Sequence, residues 1–74
     1  MQRMGAYGMP QPHFEEVAKR WSQTLGRNIT PDEVCKCLID LKLARLTENS
    51  THYDSIVDIA GYAAVLAELL PEAK

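Results

Sequence analysis

Four charged side chains fall where a small helical protein should bury apolar ones. Lys42 and Arg45 lie in a segment, Pro31 to Leu46, whose apolar residues recur at helical spacing. At about 100° per residue, Arg45 projects between Val34, Leu38 and Leu41, and Lys42 lies near Cys35 and Leu46. The solvated pole of that helix gathers elsewhere, around Lys36, Asp40 and Thr47. Asp54 and Asp58 then stand one turn apart in a segment that is otherwise nearly all apolar. A charge on a buried face must be paired, hydrogen-bonded or turned toward a ligand. Two kinds of chemistry are open to this set. One is a structural network of ion pairs that fixes helix register, a role that carries no activity. The other is a phosphate or metal–phosphate site. Arginine grips phosphate with two parallel hydrogen bonds and lysine adds a point charge. Two carboxylates at i and i+4 could hold Mg²⁺ with waters completing its shell.

Neighbouring residues could enlarge the site. His52 and Tyr53 precede Asp54 at the start of the third helical segment. A histidine near a helix N-terminus is disfavoured as a cation, so His52 would work neutral, as a ligand contact or a plain surface residue. His13 offers the same chemistry with less support. Tyr7, between Gly5 and Gly8, could stack on a base or simply anchor the segment that carries it. Tyr62 sits one turn after Asp58, where its hydroxyl could reach that carboxylate or a ligand. Arg3 adds a third cation, and Glu15 and Glu16 could join from the first helix, although one of them must face solvent. Cys35 and Cys37 are two residues apart on a helix, so their side chains diverge. They suit core or interface thiols in a reducing, cytoplasmic setting better than a disulfide or a metal site.

The elements that must position these groups are helical. Residues 1–12 hold two prolines and two glycines, which predict an extended arm, and Met1, Met4, Tyr7 and Met9 make it apolar enough to lie over a neighbouring surface. Phe14, Val17, Ala18, Trp21 and Leu25 recur at i, i+3, i+4 and i+7 and predict a helix over about 13–25, closed by Gly26. Thr30 as N-cap, Pro31 at the first position and Glu33 closing a capping box predict the start of a second helix, with Ile29 and Val34 as its hydrophobic staple. That helix should run over about 31–47 and the third over about 51–70, ahead of Pro71. The third is apolar almost all the way round, from Ile56 to Leu70, with Ala60, Gly61, Ala63, Ala64 and Ala67 between the larger side chains. A helix apolar on all sides is buried on all sides, and three helices of this length cannot surround it. The fold expected is therefore an all-α three-helix unit with an N-terminal arm, one domain over residues 1–74, packed as a homo-oligomeric helical bundle through helix 51–70.

Length and charge narrow the function. The chain has 74 residues, so it holds one domain and a marginal core. Its net charge is −2, with Lys and Arg dispersed and no basic stripe interleaved with aromatics, which argues against duplex nucleic acid as a partner. No apolar run approaches the ~18 residues of a membrane span, and the start has no signal-peptide pattern.

One resemblance joins these residues. Arg3, Tyr7-Gly8, Phe14, Trp21, Thr30-Pro31, Lys42-Leu43-Ala44-Arg45-Leu46, Asp54-Ser55 and Val57-Asp58-Ile59-Ala60-Gly61-Tyr62-Ala63 together resemble a family of small phage and prophage proteins of unassigned function. That family is more distantly similar to the MazG-like all-α nucleotide pyrophosphohydrolases. The resemblance implies a helical oligomer in the cytoplasm of an infected bacterial host, with a nucleotide as ligand. The enzymes hold Mg²⁺ with Glu-Glu-x-x-Glu on one helix and Glu-x-x-Asp on the next. Here Glu15-Glu16 is followed by Lys19, and Asp54 and Asp58 are four apart rather than three. Two-metal chemistry needs several carboxylates. What remains is the phosphate-gripping part, Lys42 and Arg45, with Arg3, Tyr7, His52 and Tyr62 beside it. The function expected is thus a nucleotide-binding oligomer without turnover, of the kind that sequesters a nucleotide signal of host antiviral defence. A Mg²⁺-dependent pyrophosphohydrolase with Asp54 and Asp58 as metal ligands is the first alternative. A structural or protein-binding module, its four charges an internal clamp, is the second.

Overall fold

The computed structural model describes residues 10–70, and these form three helices with no strand among them. Helix α1 spans Pro10–Leu25, α2 Pro31–Glu48 and α3 Tyr53–Leu69. The expected arm over residues 1–12 falls short here, because α1 already begins at Pro10. Pro10 and Pro12 occupy its first turn, where the missing N–H groups would have had no helical acceptor anyway. The rest of that arm, with Arg3 and Tyr7, lies outside the described residues.

Helix α1 ends where Gly26 takes φ +74°, a left-handed conformation that glycine adopts without a Cβ penalty. Its N–H closes the last turn on the Ser22 carbonyl at 2.9 Å. Ser22 then ties the following loop back to α1. Its hydroxyl donates to the Ala18 carbonyl at 2.7 Å and accepts from the Ile29 N–H at 2.8 Å. This brings Ile29 into the core, while Leu25, expected on the inward stripe, is left 62 % exposed beyond the point where α1 meets its neighbours. Helix α2 starts with the expected capping box: the Thr30 N–H donates to Glu33 Oε1 at 3.0 Å.

Helix α3 starts two residues later than the sequence predicts. The Asn49 side chain explains the delay. Its Oδ1 accepts from both the Thr51 N–H (3.3 Å) and the Thr51 hydroxyl (3.2 Å), committing those residues to a turn. His52 becomes the N-cap instead.

Three contacts set the register of α2 against α3: Arg45 with His52, Lys42 with Asp58, and Cys35 with Tyr62. Moving down α2 means moving up α3, so the two are antiparallel partners. Helix α1 packs mainly on α2 and least on α3. The buried apolar cluster is Phe14, Ala18, Ile29, Val34 and Cys35, flanked by half-buried Val17, Trp21, Leu38, Tyr62, Val65, Leu66 and Leu69. This core sits against the first half of α2 only. Beyond Cys35 no residue of α2 is fully buried, and Leu41 is 60 % exposed. The apolar arc that was expected to enclose Lys42 and Arg45 is therefore uncovered where they stand.

Candidate functional site

The candidate site is built at the open end of the α2–α3 hairpin. Lys42 and Arg45 come from the last turns of α2, and His52, Asp54 and Asp58 from the first turns of α3. Sequence spacing pairs Arg45 with Asp54 and Asp58. The structure pairs Lys42 with Asp58 instead, Nζ to Oδ2 at 2.9 Å, with side chains 28 % and 44 % exposed. The antiparallel register decides this: Lys42 lies level with Asp58, whereas Arg45, nearer the turn, lies level with His52. Arg45 is exposed, and its Nη1 stands 3.2 Å from His52 Nε2. No carboxylate lies within ion-pair distance of Arg45 among the described residues.

His52 reaches both helices through its ring nitrogens. Nδ1 accepts from the Ser55 N–H at 3.3 Å, which makes His52 the α3 cap, and lies 2.7 Å from the Ser55 hydroxyl. The same N–H also lies 3.1 Å from the His52 carbonyl. Ser55 is fully buried and was missed by sequence reasoning. Its position three residues after the cap, where capping partners sit, is the signal that could have found it.

The remaining candidates scatter. Asp54 is exposed and has no ion-pair partner among the described residues. Tyr62 meets α2 through its carbonyl, which accepts from Cys35 Sγ at 3.5 Å. Its half-buried ring joins Phe14, Val57, Asp58, Gly61 and Val65 in lining an open groove of about 390 Å³. Glu16 pairs with Arg20 on the surface of α1 at 3.1 Å, and Glu15 lines a different hollow with Lys19 and Asn28. His13 stacks edge-on against Phe14, ring centres 5.5 Å apart. Among the described residues, no three His, Cys, Asp or Glu side chains stand close enough to share a metal ion. The two cysteines part as expected, Cys35 buried and Cys37 exposed. Burial pushes the Cys35 thiol above its usual range, with the nearby Asp32 charge adding to it, so it stays protonated and inert. Asp32, in the first turn of α2, is held below the usual carboxylate range, chiefly by the Thr30 side-chain hydrogen bond and less by Lys36. No described helix is long and apolar enough to cross a membrane.

The fold and this cluster define a small all-α module with cations gathered at one hairpin end. Residues 1–70 match the family described as Domain of unknown function (DUF6378), and the chain belongs to it. It is similar to the Gene 55 protein of Mycobacterium phage L5, with 44 % identity over 73 residues, covering 96 % of this chain and 47 % of that one. It is also similar to the Gene 55 protein of Mycobacterium phage D29, with 33 % identity over 66 residues, covering 89 % of this chain and 44 % of that one. The chain thus spans about half the length of the curated relatives it matches. No solved structure matches it significantly.

Proposed function

We propose that this module binds a phosphate-bearing ligand, a nucleotide, at the Lys42–Arg45–His52 end of the hairpin, and that it holds the ligand without turning it over. The observation that carries the reading is the state of Arg45. Its guanidinium is exposed, and its side-chain neighbour is an imidazole rather than a carboxylate. Most of its five donors are therefore free to meet phosphate oxygens in the forked geometry that suits them. Lys42 stands one turn away, and a ligand would compete with half-exposed Asp58 for it. In a member of a phage family, such a module would serve to withdraw a nucleotide signal from the host's antiviral defence.

A second reading, the internal clamp, is favoured by the Lys42–Asp58 ion pair at 2.9 Å, which joins the two helices directly. It predicts no response to any nucleotide. The readings separate in a thermal-shift screen of the full chain against nucleoside triphosphates, cyclic dinucleotides and ADP-ribose derivatives, with and without Mg²⁺. A ligand that binds only the folded state raises the melting temperature. A metal-independent rise that disappears in Arg45→Ala supports phosphate binding. A rise that requires Mg²⁺, with pyrophosphate released, favours the MazG-like enzyme with Asp54 and Asp58 on the metal. No rise with any nucleotide leaves the clamp.

A further inference from the structure

Helix α3 carries two apolar seams, on faces about 110° apart. Ser55, Ile59, Tyr62, Leu66 and Leu69 follow one another at steps of four and three residues; all five are buried or half-buried, and Tyr62, Leu66 and Leu69 pack against the core. Tyr53, Ile56, Ala60, Ala63, Ala67 and Leu70 follow the same alternation on the second face, and all six are exposed. Tyr53 is 73 %, Ile56 48 % and Leu70 42 % exposed. Alternating three- and four-residue spacing keeps a stripe facing a single neighbouring helix. Only the inner stripe has such a neighbour within the described residues.

We infer that the outer seam pairs with the outer seam of a second copy, the two α3 helices running antiparallel about a two-fold axis. The order of side-chain sizes selects both partner and direction. In antiparallel register Tyr53 meets the partner's Leu70, Ile56 meets the partner's Ala67, and Ala60 meets the partner's Ala63. Each apolar position thereby finds an apolar one, and the bulky Ile56 fills the space above an alanine. A parallel pair would set Tyr53 on Tyr53, Ile56 on Ile56 and Leu70 on Leu70, with alanine facing alanine at the three positions between. One helix spacing cannot suit both the stacked Ile56 pair and the alanine pairs beside it, whereas the antiparallel register shares the bulk out as Ile56 on Ala67. Antiparallel α3 helices also align their dipoles favourably.

Charge agrees with the pairing. None of the six seam residues is charged. At about 100° per residue, Asp54, Asp58 and Glu68 project roughly 110° or more from the middle of the seam, so no acid is trapped between the copies. A partner that brought charged side chains to this face would find nothing to pair them. Six side chains a side is well below the roughly 20–30 of a standard stable interface, so the pair is a reversible, concentration-dependent dimer. It stands whether or not a phosphate binds at Arg45, since the seam and the cation cluster share no residue.

Light scattering of the full chain over a wide concentration range tests it. The expected result is a mass that climbs from 8.3 kDa toward twice that value. Ala60→Glu with Ala63→Glu puts four carboxylates at the axis while changing only exposed helix positions, and should hold the mass at one chain throughout. Direction is tested separately in a Cys37→Ser background, where an Ile56→Cys chain is mixed with an Ala67→Cys chain and oxidised. The mixed disulfide should form readily, and the Ile56→Cys homodimer should not. A wild-type chain that stays monomeric overturns the proposal, as does a dimer that survives both glutamates in a folded double variant. Preferential formation of the Ile56→Cys homodimer overturns the antiparallel arrangement.

Discussion

Breaking the Lys42–Asp58 ion pair should cost little. Its side chains keep 28 % and 44 % of their surface in water, so solvent screens the attraction and re-solvates whichever charge is left behind. Pairs in such settings couple by about 0.2–1 kcal/mol, whereas breaking a buried pair costs about 3–5 kcal/mol. The exposures place this pair in the first class, at the upper end because it joins two helices rather than two turns of one. For a domain of this size about 1 kcal/mol moves the melting temperature by roughly 4–8 °C. The assay is a double-mutant cycle of wild type, Lys42→Ala, Asp58→Ala and both together, followed by urea unfolding at low and high salt. A coupling energy of about 0.5–1 kcal/mol that shrinks as salt shortens the Debye length is the expected outcome. Coupling near 3 kcal/mol, insensitive to salt, would refute the reasoning and make the pair a buried clamp. Coupling indistinguishable from zero would mean that the pair adds nothing to stability.

Three further outcomes follow from local geometry. A thiol reagent should modify exposed Cys37 rapidly and buried Cys35 only on unfolding, so the native chain titrates as one thiol and the urea-denatured chain as two. Asp32 has a folded-state pKa below its ordinary value of 3.8, so the stability it contributes is present above that value and lost as pH falls through the folded one. Wild type should therefore outlast Asp32→Asn in neutral unfolding curves, and the gap should close below pH 3.8. Gly26→Ala meets no atom within 4 Å, so its cost comes only from φ +74°, about 1 kcal/mol by chemical denaturation.

Much of the fold could be read from the sequence, because local signals set the helices. Thr30, Pro31 and Glu33 start α2 where expected, and Gly26 stops α1. What escaped depends on side chains competing for the same backbone groups, or on how far one helix reaches along another. Asn49 captured Thr51 and handed the α3 cap to His52, an uncommon capping residue. The helical wheel placed Arg45 in an apolar arc, but a wheel has no length, and α1 covers that arc only near Val34 and Cys35. The cluster itself was legible as Lys42, Arg45, His52 and Asp58. The pairing within it was not, since it follows from the antiparallel register, which the length of the turn sets.

The measurement that bears most directly on phosphate binding is a metal-free thermal melt of wild type and Arg45→Ala with saturating nucleoside triphosphate and, separately, inorganic pyrophosphate. Arg45 is exposed, so its removal should leave the fold intact. At about 100 times Kd, a ligand adds roughly 2.7 kcal/mol, which is a rise of some 10 °C or more in a domain this small. The account predicts that rise in wild type and its loss in Arg45→Ala. An equal rise in both, or none in either, would contradict it.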